Sequence, residues 1–276
     1  CENFVCNNII AHNTLELPVE SMRDLKFNIL RMKVRSALMK GSNEIDAAEG
    51  IRSSLRLGDS CLIIGEVRSE EARALYEAMR VGALANVVAG TIHGASPYGV
   101  FDRVVNDLGV PATSFKATDI VVVCNPVKSA DGMRFWRRVV SISEVRKHWT
   151  KDPMSEGGFV DLMKYNVEKD KLEPTEELIN GNSEIIKSIA GDVKGWAGNW
   201  DAVYDNVLLR GEIKNEIVKA AERTGKDKIL EAEFVRKCNE AFHRISEEVR
   251  REKELPWKEY VFPRWKDWLE KELKKV

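Results

Sequence analysis

The stretch Cys61-Leu-Ile-Ile-Gly-Glu66-Val-Arg68 decides the fold. Cys61 to Ile64 form an unbroken apolar run, too short for a helix and without the alternation of a half-solvated strand. A strand covered on both faces has this pattern, as in a parallel sheet flanked by helices. Gly65 ends the run, and Glu66 places a carboxylate just beyond it. In open α/β sheets ligands bind outside the carboxyl ends of the strands. A carboxylate there can orient a water, or help hold Mg²⁺ near transferring phosphates. It can equally be a solvated strand end, and spacing alone leaves both readings open.

Downstream, Ala72, Leu75, Tyr76 and Met79 recur at helical spacing in a segment, 69–82, that starts acidic and stops at Gly82. Its length suits a crossover between parallel strands. Asn86 to Ile92 reads as a second buried strand, and His93-Gly94 comes next, bringing an imidazole to the same edge as Glu66. A lone His after a strand is also an ordinary structural residue. Ile120 to Cys124 reads as a third buried strand, whereas Arg137 to Val145 alternates charge with apolar character, as an edge strand does. Upstream, Leu30, Val34, Ala37 and Leu38 mark one helix face. Ile45, Ala48, Ile51 and Leu55 mark another, with Asn43 as its N-cap. Strand–helix–strand order predicts an α/β fold with a largely parallel sheet.

The character changes at Trp149. Lys151-Asp-Pro and Glu156-Gly-Gly are breakers, so a boundary is expected near 150–158. A small strand pair fits 159–172, and helices fit 183–190, 199–223, 227–249 and 256–274. Trp196, Trp200, Trp257, Trp265 and Trp268 all lie in this part. Large aromatics are usually core residues; a surface for docking a partner is the other reading.

Composition narrows the function. Lys and Arg number 43 against 44 Asp and Glu, for a net charge of −1. That balance gives no footprint for nucleic acid, so neither DNA nor RNA is an expected partner, and a nucleic-acid translocase is disfavoured. Glutamine is absent while Glu and Lys abound, a bias associated with hot habitats. No apolar run is long enough to span a membrane. Cys1, Cys6, Cys61, Cys124 and Cys238 form no CxxC pair and have no His at ligand spacing. The expectation is a reducing cytoplasm, no disulfide framework and no direct metal site, with Cys61 and Cys124 acting as small hydrophobes. Arg52 and Arg56 share a helical face and can reach a phosphate across a subunit boundary, or simply form surface ion pairs. Arg31 and Arg35 have the same relation on weaker grounds, and Lys271 to Lys275 reads as a solvated helix end. No G-x-x-x-x-G-K-[ST] occurs; the one Gly-Lys step, Gly225-Lys226, precedes Asp in a helical region.

The runs LIIGEVRSEEARALYEAM, NVVAGTIHG, DRVVNDLGVP and ATDIVVVCNPV, with KSIAGDVKGWAGNWDAVYDNVLLR further on, resemble the type II/type IV secretion ATPase superfamily, in its archaeal tight-adherence-like or KlbA-like branch. The resemblance covers about Thr14 to Arg250. It implies a RecA-like P-loop NTPase core, here without its Walker A half, followed by a mainly α-helical carboxyl-terminal region. It also implies a homo-hexamer that uses ATP and Mg²⁺ to drive filament assembly or export. Such a motor works at the cytoplasmic face of the membrane, on an integral-membrane platform protein. By motif, Glu66 matches the Walker B glutamate, reaching Mg²⁺ at most through water, His93 the histidine box, and Glu16 the end of the acidic box. Arg52 and Arg56 fall in the arginine-bearing segment, and Arg68 joins them as a candidate for contacting nucleotide. A non-catalytic module that docks a ring or platform remains the alternative.

The first residues, CENFVCNNIIAHN, look foreign to the rest of the chain and resemble the carboxyl terminus of an intein. The chain starts at Cys1 rather than Met, as a processed chain or fragment does. The resemblance implies that His12 assists cyclisation of Asn13 and that Thr14 is the nucleophile of the downstream segment. Three divisions are therefore expected: 1–13 as intein remnant, 14–150 as ATPase core and 151–276 as helical domain.

Overall fold

The structure is a computed structural model that describes residues 8–12, 19–32, 47–54, 60–69, 71–80 and 85–275. Two compact units divide the chain. One contains Phe27–Ile185 with Val5–Val19, the other Ile186–Val276 with Glu20–Lys26. The division falls well after the breaker-rich stretch at 150–158, because strand pairing continues across that stretch.

The first unit is mixed α/β. Its first sheet holds β1 (Asn8–His12), β2 (Asn28–Met32), β3 (Ser60–Ile64) and β4 (Ala85–Gly90) in the order β2-β1-β3-β4. Every pairing is parallel. Asn8–His12, in the segment that reads as foreign, is therefore a central strand, in register with β2 on one side (His12 with Met32) and β3 on the other (His12 with Ile64). Leu30 lies in β2, not on a helix face; Ile29 is buried while Leu30 is exposed. The remaining positions of that expected helix face, Val34, Ala37 and Leu38, lie outside the described residues, as do Asn43, Ile45 and Leu55.

In chain order α1 (Val19–Asp24), which from Glu20 on belongs to the other unit, follows β1, α2 (Ala47–Ser54) follows β2 and α3 (Glu71–Arg80) follows β3. The apolar stripe of α3 is buried through Ala72, Leu75 and Tyr76, and Ile51 carries α2 into the same core. After β4 come α4 (Pro97–Asp102), a π-helical turn (Arg103–Asp107) and α5 (Ala112–Phe115). Ser96 caps α4, its Oγ accepting from the Gly99 backbone N–H at 3.0 Å.

The second sheet, β5 (Ile120–Lys128), β6 (Phe135–Val145), β7 (Phe159–Asn166) and β8 (Lys171–Pro174), is antiparallel in that order. Three expectations are corrected here. β5 alternates rather than being buried throughout: Val121 and Val123 face the core while Ile120, Val122 and Cys124 are exposed. β6 is an interior strand, paired on both sides, and its charges are accommodated by ion pairs and open surface. β4, expected to be buried, is an edge strand among the described residues, and its Ala89 and Gly90 are not covered. The two sheets share one apolar core, in which Leu62 and Ile64 meet Phe101, Phe115, Val121, Val123 and Trp149. Phe101 sits edge-on to both Phe115 and Trp149, with centroids 5.2 and 5.6 Å away.

The breakers near 150–158 form a loop organised by one carboxylate. Glu156 accepts from the backbone N–H of Thr150, Lys151 and Asp152, each at 2.7 Å. These bonds, Asp152's foremost, pull its pKa down to about 2. A depressed carboxylate contributes stability above its unfolded pKa and loses it as pH falls through the folded value. The 150–156 loop is therefore expected to loosen between about pH 4.5 and 2. Amide exchange at Thr150, Lys151 and Asp152 reads this directly; protection unchanged across that window refutes it.

After β8 come α6 (Glu176–Ile179) and α7 (Glu184–Gly191). The second unit is built on α8 (Trp200–Thr224), a 3₁₀ turn (Asp227–Leu230), α9 (Ala232–Lys253) and α10 (Lys258–Leu273). Phe234, Cys238, Ala241, Phe242, Ile245 and Val249 make the apolar stripe of α9, packed with Leu209, Ile213 and Ile217 of α8 and Val261, Trp265 and Leu269 of α10. Trp265 is fully buried and donates its indole N–H to the Cys238 carbonyl at 3.0 Å, so this tryptophan is a core residue. Gly225, at φ 64°, ends α8 in the left-handed conformation. The Gly225-Lys226 step is thus a helix stop.

Candidate functional site

The parallel sheet sets up the site. From β1 the chain goes on to β2 on one side, and from β3 to β4 on the other. Adjacent strands whose connections diverge leave a crevice at their carboxyl ends, and Glu66 lies two residues past Ile64, at that crevice. His93 lies just beyond β4, which is in register with β3 through Ile64 and Gly90. The imidazole and carboxylate meet: His93 Nε2 is 3.1 Å from Glu66 Oε1.

The loop after β3 is held from several directions. The Val67 N–H donates to the Thr91 carbonyl at 2.8 Å, prolonging the ladder past both strands. The Thr91 hydroxyl donates to the Gly65 carbonyl. Glu71, at the start of α3, accepts from the N–H of Arg68 at 2.7 Å and of Ser69 at 3.0 Å, and from the Ser69 hydroxyl at 2.6 Å. Past His93, Gly94 is a close approach: a Cβ there would lie 2.7 Å from Val100 Cγ2 and 3.1 Å from the Val100 nitrogen.

Arg68 donates to Glu66 Oε2. That bond, opposed by modest desolvation and aided by the Arg68 and His93 charges, lowers the Glu66 pKa. Glu66 is thus ionised at neutral pH, an acceptor in both oxygens. Its side chain is 24% exposed, while that of His93 is 92% exposed, so the pair opens outward. Such an arrangement can accept a proton or hydrogen bond from a water or hydroxyl, or face a hard cation. No cluster of three His, Cys, Asp or Glu with metal-ligand geometry occurs among the described residues.

The other expected residues are placed differently. Arg68 is the partner of Glu66 rather than a free cation. Arg52, on α2, lies 3.9 Å from Glu77 of α3, both largely exposed. His12 ends β1, in backbone register with Ile64. Glu16, Asn13, Thr14, Arg56 and Arg35 lie outside the described residues. Glu71 and Thr91 escaped the sequence reading. The only signal for them is the Ser69-Glu-Glu71 pattern of a helix start.

Against known proteins, residues 6–131, a little short of half the chain, match the family described as Type II/IV secretion system protein. The match starts inside the segment that reads as foreign and runs past both Glu66 and His93. An uncharacterized protein of Methanocaldococcus jannaschii, MJ1287, is 31% identical over 149 residues, covering 53% of this chain and 50% of that one. A second from the same organism, MJ0900, is 26% identical over 171 residues, covering 61% of this chain and 29% of that one. The chain thus spans about half the length of the first relative and under a third of the second. Among solved structures, the VirB11 ATPase of the Brucella suis type IV secretion system aligns over 51% of this chain and 41% of its own, at 18% identity and a TM-score of 0.38. The ATPase DotB of Legionella pneumophila aligns over 47% and 34%, at 13% identity and a TM-score of 0.33.

Proposed function

We propose that this chain carries the Glu66–His93 half of an ATP site in a type II/IV secretion ATPase with a RecA-like core, and that another segment supplies the phosphate-binding loop. The observation that carries the reading is the 3.1 Å contact between an ionised carboxylate and an imidazole at the carboxyl ends of adjacent parallel strands, inside the stretch that matches the secretion family. The residues present fit the acidic side of a Mg²⁺–nucleotide site. They do not include the glycine-rich cradle, because the sequence has no G-x-x-x-x-G-K-[ST]. When bound, Mg²⁺–ATP supplies the transferable phosphoryl group and its charge neutralisation. Glu66 accepts the proton of a water or orients it. Arg68 keeps Glu66 ionised, and His93 fixes the carboxylate by holding one oxygen.

In this reading the assembled enzyme is a homo-hexamer at the cytoplasmic face of the membrane, driving export or filament assembly through an integral-membrane platform protein. The chain alone turns over little or no ATP. Mixing it with the P-loop-bearing segment of the same protein should restore both ring assembly and hydrolysis. Turnover by the 276-residue chain unaided would overturn the division of labour.

The splice junction belongs to the same proposal. The Asn13 side-chain amide nitrogen attacks its own main-chain carbonyl, closing a succinimide. The peptide bond to Thr14 breaks and its amine leaves with the downstream chain, while His12 assists. Mass spectrometry of the expressed chain should find a species starting at Thr14, lost in Asn13→Ala; intact chain throughout, under conditions where it is folded, would refute the assignment.

A further inference from the structure

Away from the sheets, the helical unit contains a cleft of about 180 Å³ whose polar lining is unbalanced. Arg210 of α8 reaches into it. Its Nε donates to the Asn206 side-chain oxygen at 2.9 Å, and its guanidinium lies over the Phe242 ring, 4.7 Å from the centroid. Among the described residues no carboxylate pairs with it. The acid that also lines the cleft, Glu247, accepts from Arg250 at 2.7 Å. Burial alone pushes the Arg210 pKa down, as expected of a cation without a counter-charge.

One helical turn from Phe242 on α9, Ser246 is 6% exposed, and its hydroxyl has no hydrogen-bond partner among the described residues. A mid-helix serine normally turns its hydroxyl back to the carbonyl four residues earlier, and a buried polar group left unpaired is costly. Trp196, Phe242 and Pro256 supply apolar walls.

We propose that this cleft binds a single oxyanion, a carboxylate or phosphate group, held between the Arg210 guanidinium and the Ser246 hydroxyl with its carbon stem against the aromatic wall. An oxyanion supplies what both groups lack: negative charge for a planar guanidinium and an acceptor for an unpaired O–H. The volume is below the roughly 300–1,000 Å³ of sites for drug-sized ligands, so a whole nucleotide does not fit. One small anion, or one acidic side chain of a peptide, does. The inference is independent of the ATP site, since every residue in it belongs to the helical unit.

The test is a titration followed by ¹H–¹⁵N spectra of the Trp196 indole and the Ser246 amide, at constant ionic strength. The probes are inorganic phosphate, N-acetyl-glutamate amide and the neutral N-acetyl-glutamine amide. A saturable shift is expected with at least one oxyanion and none with the neutral amide. A response to phosphate alone assigns a free phosphate group, and a response to the blocked glutamate alone assigns an acidic side chain. Arg210→Gln should weaken binding about tenfold or more and Ser246→Ala about threefold. The serine variant serves as the measure if the arginine variant does not fold. No saturable shift with either oxyanion, or equal shifts in wild type and both variants, overturns the proposal.

Discussion

Glu66→Gln is expected to lower ATP turnover at least about 100-fold in the chain joined to its P-loop segment, while nucleotide binding is largely retained. Removing a positioned general base costs on the order of 10²–10⁴ in rate. In the proposed division of labour binding persists, because the phosphates would rest mostly on the other segment's loop. The substitution is also gentle on the fold: Glu66 is partly exposed, its contacts with Arg68 and His93 sit at the surface, and surface ion pairs contribute little. Nucleotide affinity and turnover measured on the same preparation separate the two effects. Equal losses in both, or unchanged turnover, would remove Glu66 from the chemistry.

The second large effect concerns the sheet-bearing unit alone. Glu144 of β6 is fully buried. Its Oε1 lies 3.2 Å from Arg146 and accepts from the Glu184 N–H at 3.0 Å, while its Oε2 accepts from the Ser183 hydroxyl at 2.5 Å. Arg146, itself nearly buried, also donates to the Asn182 carbonyl at 2.6 Å and lies 2.9 Å from Glu184. The pair thus ties the chain at 182–184 back to the strand. Glu144→Ala leaves a buried guanidinium with only a half-exposed partner, and is expected to cost about 3–5 kcal/mol. Glu144→Leu with Arg146→Met should cost far less, because no orphaned charge remains. Urea unfolding of the three proteins checks this; a single-variant loss below about 1 kcal/mol would show the pair to be dispensable.

This pair also explains what the sequence could and could not reveal. Glu144 falls in the run Arg137 to Val145, whose alternation of charge with apolar character reads as an edge strand. The pattern records which residues carry charge, not that the charges face one another inside. Leu30 could be assigned to a helical stripe because an isolated apolar residue fits either period, and pairing with β1 decides for the strand. Cys61 to Ile64 and the stripe of α3 were legible because each is a local pattern with one geometric solution. The meeting of Glu66 and His93 was legible for the same reason, since both residues end apolar runs that parallel pairing aligns. Arg210 and Ser246 gave no signal, because each lies among ordinary helix residues and acquires meaning only when α8 and α9 come together.

The position of Asn8–His12 bears on any release of the first thirteen residues. Neighbouring strands lie about 4.8 Å apart, so taking away the middle one leaves its two neighbours roughly 10 Å from each other with their backbone groups unpaired. If the proposed cleavage after Asn13 takes place, it would be no trimming of a loose end, because Asn8–His12 is hydrogen-bonded to a strand on either side. In the proposed splicing, ligation would deliver a replacing strand covalently, at the high effective concentration of a tethered segment. Repair of the sheet and joining of the two chain halves would then be a single event.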